Sequence, residues 1–157
     1  MLATAMLYVL LDFTIDLRPS RVQSSYQLSV EEWPIDQARI LRRDNQSILV
    51  IRRSAETIAQ LNRALADLQD PGSKHSHQPV FATNALRSKH PELFVSYATG
   101  TDLGCGLEVV NRELKEICGD ARYDFAGRAL QGAREFQNLT IPDYNFSDNF
   151  TKLTIRP

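Results

Sequence analysis

The side chains able to ligate a metal softly or exchange electrons are few. They are Cys105 and Cys118, with three histidines, His75, His77 and His90. A structural zinc site takes four Cys or His donors at close spacing, and a disulfide-built scaffold takes several bridges. This set is too small for either. His75-x-His77 is the close pair, and it sits in the polar stretch Ser73–Pro91. Two histidines two apart in such a stretch are usually solvated side chains, not a chelate. No P-loop, GxGxxG or Ser-His-Asp arrangement is present. The sequons at Asn45, Asn138 and Asn149 are weak signals that matter only in a eukaryotic secretory route.

The elements that must position these residues can be read from periodicity. The chain has 157 residues, 43% hydrophobic and 24% charged, which suits one domain with a core of its own. A net charge of −1 gives no reason to expect nucleic acid or an anionic membrane surface as a partner. Met1–Phe13 is apolar apart from Asp12. A spanning helix needs about 20 apolar residues, so no transmembrane span is expected, and the run lacks the basic start of a signal peptide. It reads as a strand or helix packed on the core or, failing that, a self-association or partner-binding segment. The pairs Arg42-Arg43 and Arg52-Arg53 open no hydrophobic run and are not export signals.

YQLSVEEW alternates around Tyr26, Leu28 and Val30 and predicts a strand. ARIL-RRDNQ-SILVIR predicts a hairpin turning at Asp44-Asn45. Ser54 can cap a helix over Ala55–Leu68, whose Ile58, Leu61, Leu65 and Leu68 share one face; Asp70-Pro71-Gly72 ends it. Ser73–Pro91 reads as a long surface loop. Leu93–Ala98 reads as a strand, Gly100–Phe136 as short strands with glycine turns, and LTIPDYNF with TKLTI as a closing hairpin turning at Ser147–Asn149.

This order of elements, with several ordered sequence fragments, resembles the Rieske iron–sulfur proteins, in particular the iron–sulfur subunit of bacterial ubiquinol–cytochrome c reductase. LSVEEWP at Leu28–Pro34 resembles the family's first strand, and ILVIRRSAETI at Ile48–Ile58 the strand leading into its single long helix. LQDPGS…QP…ATNALRSKHPELFVSYA resembles its long loop and the strand that follows. TDLGC, Thr101–Cys105, resembles the first cluster loop, Cys-Thr-His-Leu-Gly-Cys. EICGDARYDFAGRALQG, Glu116–Gly132, resembles the second, Cys-Pro-Cys-His-Gly-Ser-His-Tyr-Asp with a Gly-Arg turn. The resemblance implies a mainly β fold, an antiparallel β-sandwich with one helix and a small loop subdomain. It divides the chain into an apolar N-terminal extension, 1–25, and a Rieske-like domain, 26–157, with the cluster-loop subdomain at about 100–136.

A Rieske centre holds two irons with two thiolates and two imidazoles. By resemblance the ligand positions fall on Gly100 and Asp102 in the first loop and on Glu116 and Gly119 in the second. Two of these have no side chain, and the other two offer hard carboxylate oxygen where sulfur and imidazole are required. The 2Fe–2S cofactor the family implies is therefore expected to be absent, with no catalytic, cofactor-binding or metal residue remaining. The proline-rich shielding loop is also altered, to Gly132-Ala133-Arg134-Glu135-Phe136. Cys105 and Cys118 match the family's two non-ligand cysteines, which implies a disulfide between them. Closing a loop of about 14 residues, it would contribute about 3 kcal/mol. Two unpaired core thiols are the alternative in a reducing compartment.

The resemblance also gives Tyr123 and Asp124 the family's Tyr-Asp. There the tyrosine bonds a ligand sulfur; with Gly100 as its partner position that bond goes, and Tyr123 reads as a packed aromatic. Leu103 matches a tip leucine that docks at the quinol site of cytochrome b. Asp102 and Glu116 are expected to lie near each other. On an exposed tip they are most simply solvated, though such a pair can bind a lone cation or act as acid and base. Joining Cys105, Cys118, Asp102 and Glu116 in a new four-ligand set would require opening the disulfide.

The leading functional expectation is a cluster-free, non-catalytic accessory or interaction module related to the respiratory reductase, a pseudo-enzyme. Its partners would be respiratory complex subunits, or a second copy through Met1–Phe13. The alternatives are an electron-transfer subunit with an unorthodox ligand set, and a thiol-redox sensor built on Cys105 and Cys118. Location follows the thiols: periplasmic or membrane-peripheral if the disulfide forms, cytoplasmic if it does not.

Overall fold

A computed structural model describes residues 25–30, 33–43, 46–147 and 151–156. Met1–Phe13, the rest of the N-terminal extension up to 24, the Asp44-Asn45 turn, and Asn149 with the tip of the final hairpin lie outside the described residues.

The described residues are mainly β, in three antiparallel three-stranded sheets. β2 (Ala38–Arg43), β3 (Gln46–Arg52) and β4 (Leu93–Tyr97) form the first, with β3 in the centre. Ile48, Leu49, Val50 and Ile51 are all fully buried. An uninterrupted apolar run of this kind belongs to a strand covered on both faces. Register runs Ala38↔Ile51 on one side and Ile51↔Phe94 on the other. β1 (Tyr26–Ser29), β9 (Lys152–Arg156) and β8 (Asp143–Phe146) form the second sheet, with β9 central and Leu153 and Ile155 directed into the core.

The third sheet carries the loops of interest: β5 (Leu107–Val110), β6 (Glu113–Glu116) and β7 (Arg122–Tyr123). In β6 burial alternates, with Leu114 and Glu116 fully inside. Side chains two apart share a face of a strand, so the strand carries the Glu116 carboxylate inward beside an apolar neighbour.

Helix α1 (Ala55–Arg63) starts as its sequence predicts. Ser54 Oγ accepts from Thr57 N at 3.1 Å, and Ser54 is itself held by Asp36 through its N–H (2.9 Å) and hydroxyl (2.8 Å). The helix is shorter than expected, ending at Arg63 instead of Leu68. The Leu61 carbonyl accepts from the buried Arg128 guanidinium at 2.8 Å, and the chain leaves the helical path at Ala64. Leu65 is consequently exposed, while Leu68 is buried by a bridge to Leu130.

The 73–91 segment is also not simply a surface loop. It includes a turn of 3-10 helix at Val80–Ala82 and a fully buried Arg87. That guanidinium donates to the carbonyls of Gly127 (2.8 Å) and Leu139 (2.7 Å) and to Gln78 Oε1 (2.9 Å). Arg53, from the second arginine pair, is buried likewise and bonds Pro91 O, Leu86 O and Ser88 Oγ. Loss of water lowers both arginines to about 10, so each stays charged at neutral pH; Arg53 ties the loop to the end of β3, and Arg87 ties it to the backbone at Gly127 and Leu139. Gly127, at φ +64°, lets the 124–128 turn lie on β4; a Cβ there would come within 2.5 Å of Phe94 Cζ. His75 and His77 are exposed, as expected, and His90 packs edge-on against Phe146. Asn138 is buried, its amide bonded to Asp70 O, Ser73 Oγ and Ala129 N, so its sequon is not an accessible acceptor in the folded chain.

Candidate functional site: two loops closed by carboxylates

The first loop leaves β4 and closes on itself through Gly100 N to Cys105 O at 2.8 Å. The second leaves β6 and closes through Glu116 N to Ala121 O at 3.0 Å. Ile117 N to Gly106 O, 3.0 Å, joins the two, and Cys105 and Cys118 are bonded as a disulfide with Cα atoms 6.0 Å apart.

Glu116 fills the space between the loops. Its carboxylate accepts three backbone N–H groups of the first loop: Asp102 N on Oε2 at 3.0 Å, and Leu103 N (3.0 Å) and Cys105 N (2.7 Å) on Oε1. A buried carboxylate is costly unless hydrogen-bonded, and converging N–H groups form a natural anion cradle. A Cβ on Gly100 would lie 2.2 Å from Glu116 Oε2 and 2.3 Å from its carboxyl carbon. The glycine and the glutamate therefore occupy one volume between them.

The same relation holds across the other pair. A Cβ on Gly119 would lie 2.7 Å from Asp102 Oδ2. That oxygen accepts from Asp120 N at 3.0 Å and from Arg134 Nη2 at 2.9 Å, so a third loop is drawn in. The Asp102 side chain is only 5% exposed. The expectation of solvated carboxylates at an exposed tip is thus overturned: each is turned inward to backbone donors. They are close, since Asp102 N meets Glu116 Oε2, but the carboxylates point to different partners.

Tyr123 is packed, as expected, and also bonded. Its hydroxyl accepts from Thr101 N at 2.7 Å and lies 2.8 Å from Thr101 Oγ1, which donates to Gln137 O at 2.6 Å. Burial raises the Tyr123 hydroxyl above its ordinary value, so it is neutral. Asp124 accepts from Ala126 N and Arg128 N and pairs with the buried Arg128 at 2.7 Å. Leu103 and Ile117 remain at the tip, 61% and 64% exposed.

Arg134 and Thr101 were not singled out from sequence. The available signal was the make-up of each pair: one glycine and one carboxylate in Gly100/Glu116, and again in Asp102/Gly119.

The fold and paired loops define a Rieske-type β protein. A chain of a solved hyperthermophilic respiratory Complex III superposes with a TM-score of 0.56 over 96% of this chain and 90% of that one, at 17% identity. In sequence, the ubiquinol-cytochrome c reductase iron-sulfur subunit of Allochromatium vinosum is 27% identical over 162 residues, covering 93% of this chain and 78% of the relative. The Rieske subunit of the mitochondrial cytochrome b-c1 complex of Candida albicans is 28% identical over 121 residues, 73% of this chain and 50% of its own length. No family model matches. The chain is a distant homologue of the Rieske iron–sulfur subunits of cytochrome bc1 complexes.

Proposed function

We propose that this chain is a cluster-free Rieske-like protein acting as a non-catalytic accessory or interaction module related to the respiratory reductase. One observation carries the reading: the Glu116 carboxylate occupies the space a ligand side chain at position 100 would need, and its oxygens are engaged by three N–H groups. The residues do not fit a Rieske centre. Gly100 and Gly119 supply no donor, Asp102 and Glu116 supply hard oxygen, and Cys105 and Cys118 are bonded to each other. Where the family's cluster would join the two loops, carboxylate-to-backbone bonds stand here beside the disulfide that the family resemblance implies. The tip carries exposed apolar side chains at Leu103 and Ile117, which supports a binding role.

The test is analysis of iron and acid-labile sulfide in anaerobically purified protein, with EPR after reduction. Neither element and no signal are expected; about two of each per chain would overturn the reading in favour of electron transfer. Tagged protein is then expected to capture respiratory subunits from the source membranes, and Leu103→Asp to lose them.

A further inference from the structure

Cys105 Sγ, Cys118 Sγ and a Glu116 carboxylate oxygen lie within 4.8 Å of one another. While the sulfurs are bonded to each other they are not thiolate ligands. We propose that reduction of the Cys105–Cys118 bridge creates a site for one thiophilic divalent cation of the zinc type, held by the two thiolates and Glu116.

The chemistry balances simply. A dithiol reductant gives two electrons and two protons to the bridge and becomes a disulfide, leaving Cys105 and Cys118 as thiols. Each thiol loses its proton as the cation binds, so one cation displaces two protons. Two thiolates, a carboxylate and the divalent ion then sum to a single negative charge. The fourth position of a tetrahedral site falls to water.

Three features favour this set. The Cα atoms of the cysteines are 6.0 Å apart, so thiolates can open to span a metal without moving the strands. Cys118 is exposed and Cys105 half-buried, so reductant and cation have access. The Glu116 carboxylate has about four acceptor sites and accepts three N–H groups, which leaves it one lone pair for a metal while the cradle stays intact. The inference rests on the cluster-free reading to the extent that Glu116 must not be displaced by iron and sulfide.

The experiment uses the full chain, oxidised and after reduction by tris(2-carboxyethyl)phosphine, titrated anaerobically with Co2+ and separately with Zn2+. The phosphine replaces the dithiol: it takes an oxygen from water to become its oxide while the bridge becomes two thiols. Reduced protein is expected to bind one Zn2+ by native mass spectrometry and to show a thiolate-to-Co2+ charge-transfer band; oxidised protein should show neither. Cys118→Ser, at an exposed position, should remove the band. Glu116→Gln should weaken Zn2+ binding by roughly a factor of ten. Reduced protein without the band, equal binding when oxidised, or unchanged binding by Cys118→Ser would overturn the proposal. Iron and sulfide in the starting protein would overturn the cluster-free reading as well; iron-free protein that binds no cation after reduction overturns this proposal alone.

Discussion

Glu116 and Gly100 share one volume: the glutamate's Oε2 stands 2.2 Å from where a Cβ on residue 100 would be, too near for both to carry side chains. Together with Asp102 and Gly119 this makes two small–large pairs across the loops, each filled by a carboxylate from one side.

The first pair should be energetically coupled. Gly100→Ala alone is expected to cost about 3 kcal/mol by overpacking. Glu116→Ala alone should cost about 3 kcal/mol by leaving buried N–H groups unpaired. In the double variant the alanine at position 100 no longer meets the carboxylate, so the costs should fall short of their sum by about 1–3 kcal/mol. Urea unfolding of the four proteins measures the coupling; simple additivity would contradict a shared volume.

The bridge should matter more than the surface ion pairs. Cys105 and Cys118 are 13 residues apart, and opening the bridge is expected to lower stability by about 3 kcal/mol. The urea midpoint should fall when reductant is added, and the reduced protein and Cys105→Ser/Cys118→Ser should agree with each other; an unchanged midpoint on reduction would contradict the prediction.

Arg134 reaches Asp102 at 2.9 Å and Asp120 at 3.5 Å, but its own side chain is 55% exposed. Solvent screens such a pair, so Arg134→Ala is expected to cost under about 1 kcal/mol, and less at high salt. Asp102→Ala should cost more, because it also strips the acceptor from Asp120 N and empties the space beside Gly119. Melting at two ionic strengths separates these outcomes.

Acid should destabilise the fold through Asp70 and Asp36. Burial pushes the Asp70 carboxyl up, but the N–H groups of His75 and Lys74 and the Ser76 hydroxyl outweigh it and hold it below the ordinary range. Asp36 is likewise lowered, burial being outweighed by Ser54, Thr57 and Arg112. A carboxyl depressed in the folded state stabilises above its unfolded value, about 3.9, and loses that contribution as pH falls through the folded value. Melting temperature should therefore drop below about pH 4, and Asp70→Asn should flatten that drop; an unchanged slope would remove Asp70 as a cause.

At the alkaline end Tyr144 is raised to about 12 by burial, with its hydroxyl accepting from Lys89 N at 3.0 Å. Below the unfolded value of about 10 its stabilising contribution is complete, and it is lost as pH rises towards the folded value. Absorbance titration should show Tyr144 ionising with unfolding, and Tyr144→Phe should shift that step.

Much of the architecture was legible in the residues. The Ile48–Ile51 run, the Ser54 cap and the strands of the closing hairpin each carry a local signature, because strand alternation and capping depend on near neighbours along the chain, whereas the Cys105–Cys118 pairing came only from the family resemblance. The glycines and carboxylates in the two loops were visible too, and through the family resemblance they are where the cluster-free proposal starts. What alternation could not reveal was where those carboxylates go. Glu116 is a buried acid made tolerable by three N–H groups 11 to 14 residues away, and Asp102 is held by Asp120 and Arg134 from two other loops. The helix end was likewise decided at a distance, by Arg128 taking the Leu61 carbonyl, 67 residues apart. Burial of a charge depends on which donors converge around it, and only the folded chain brings those donors together.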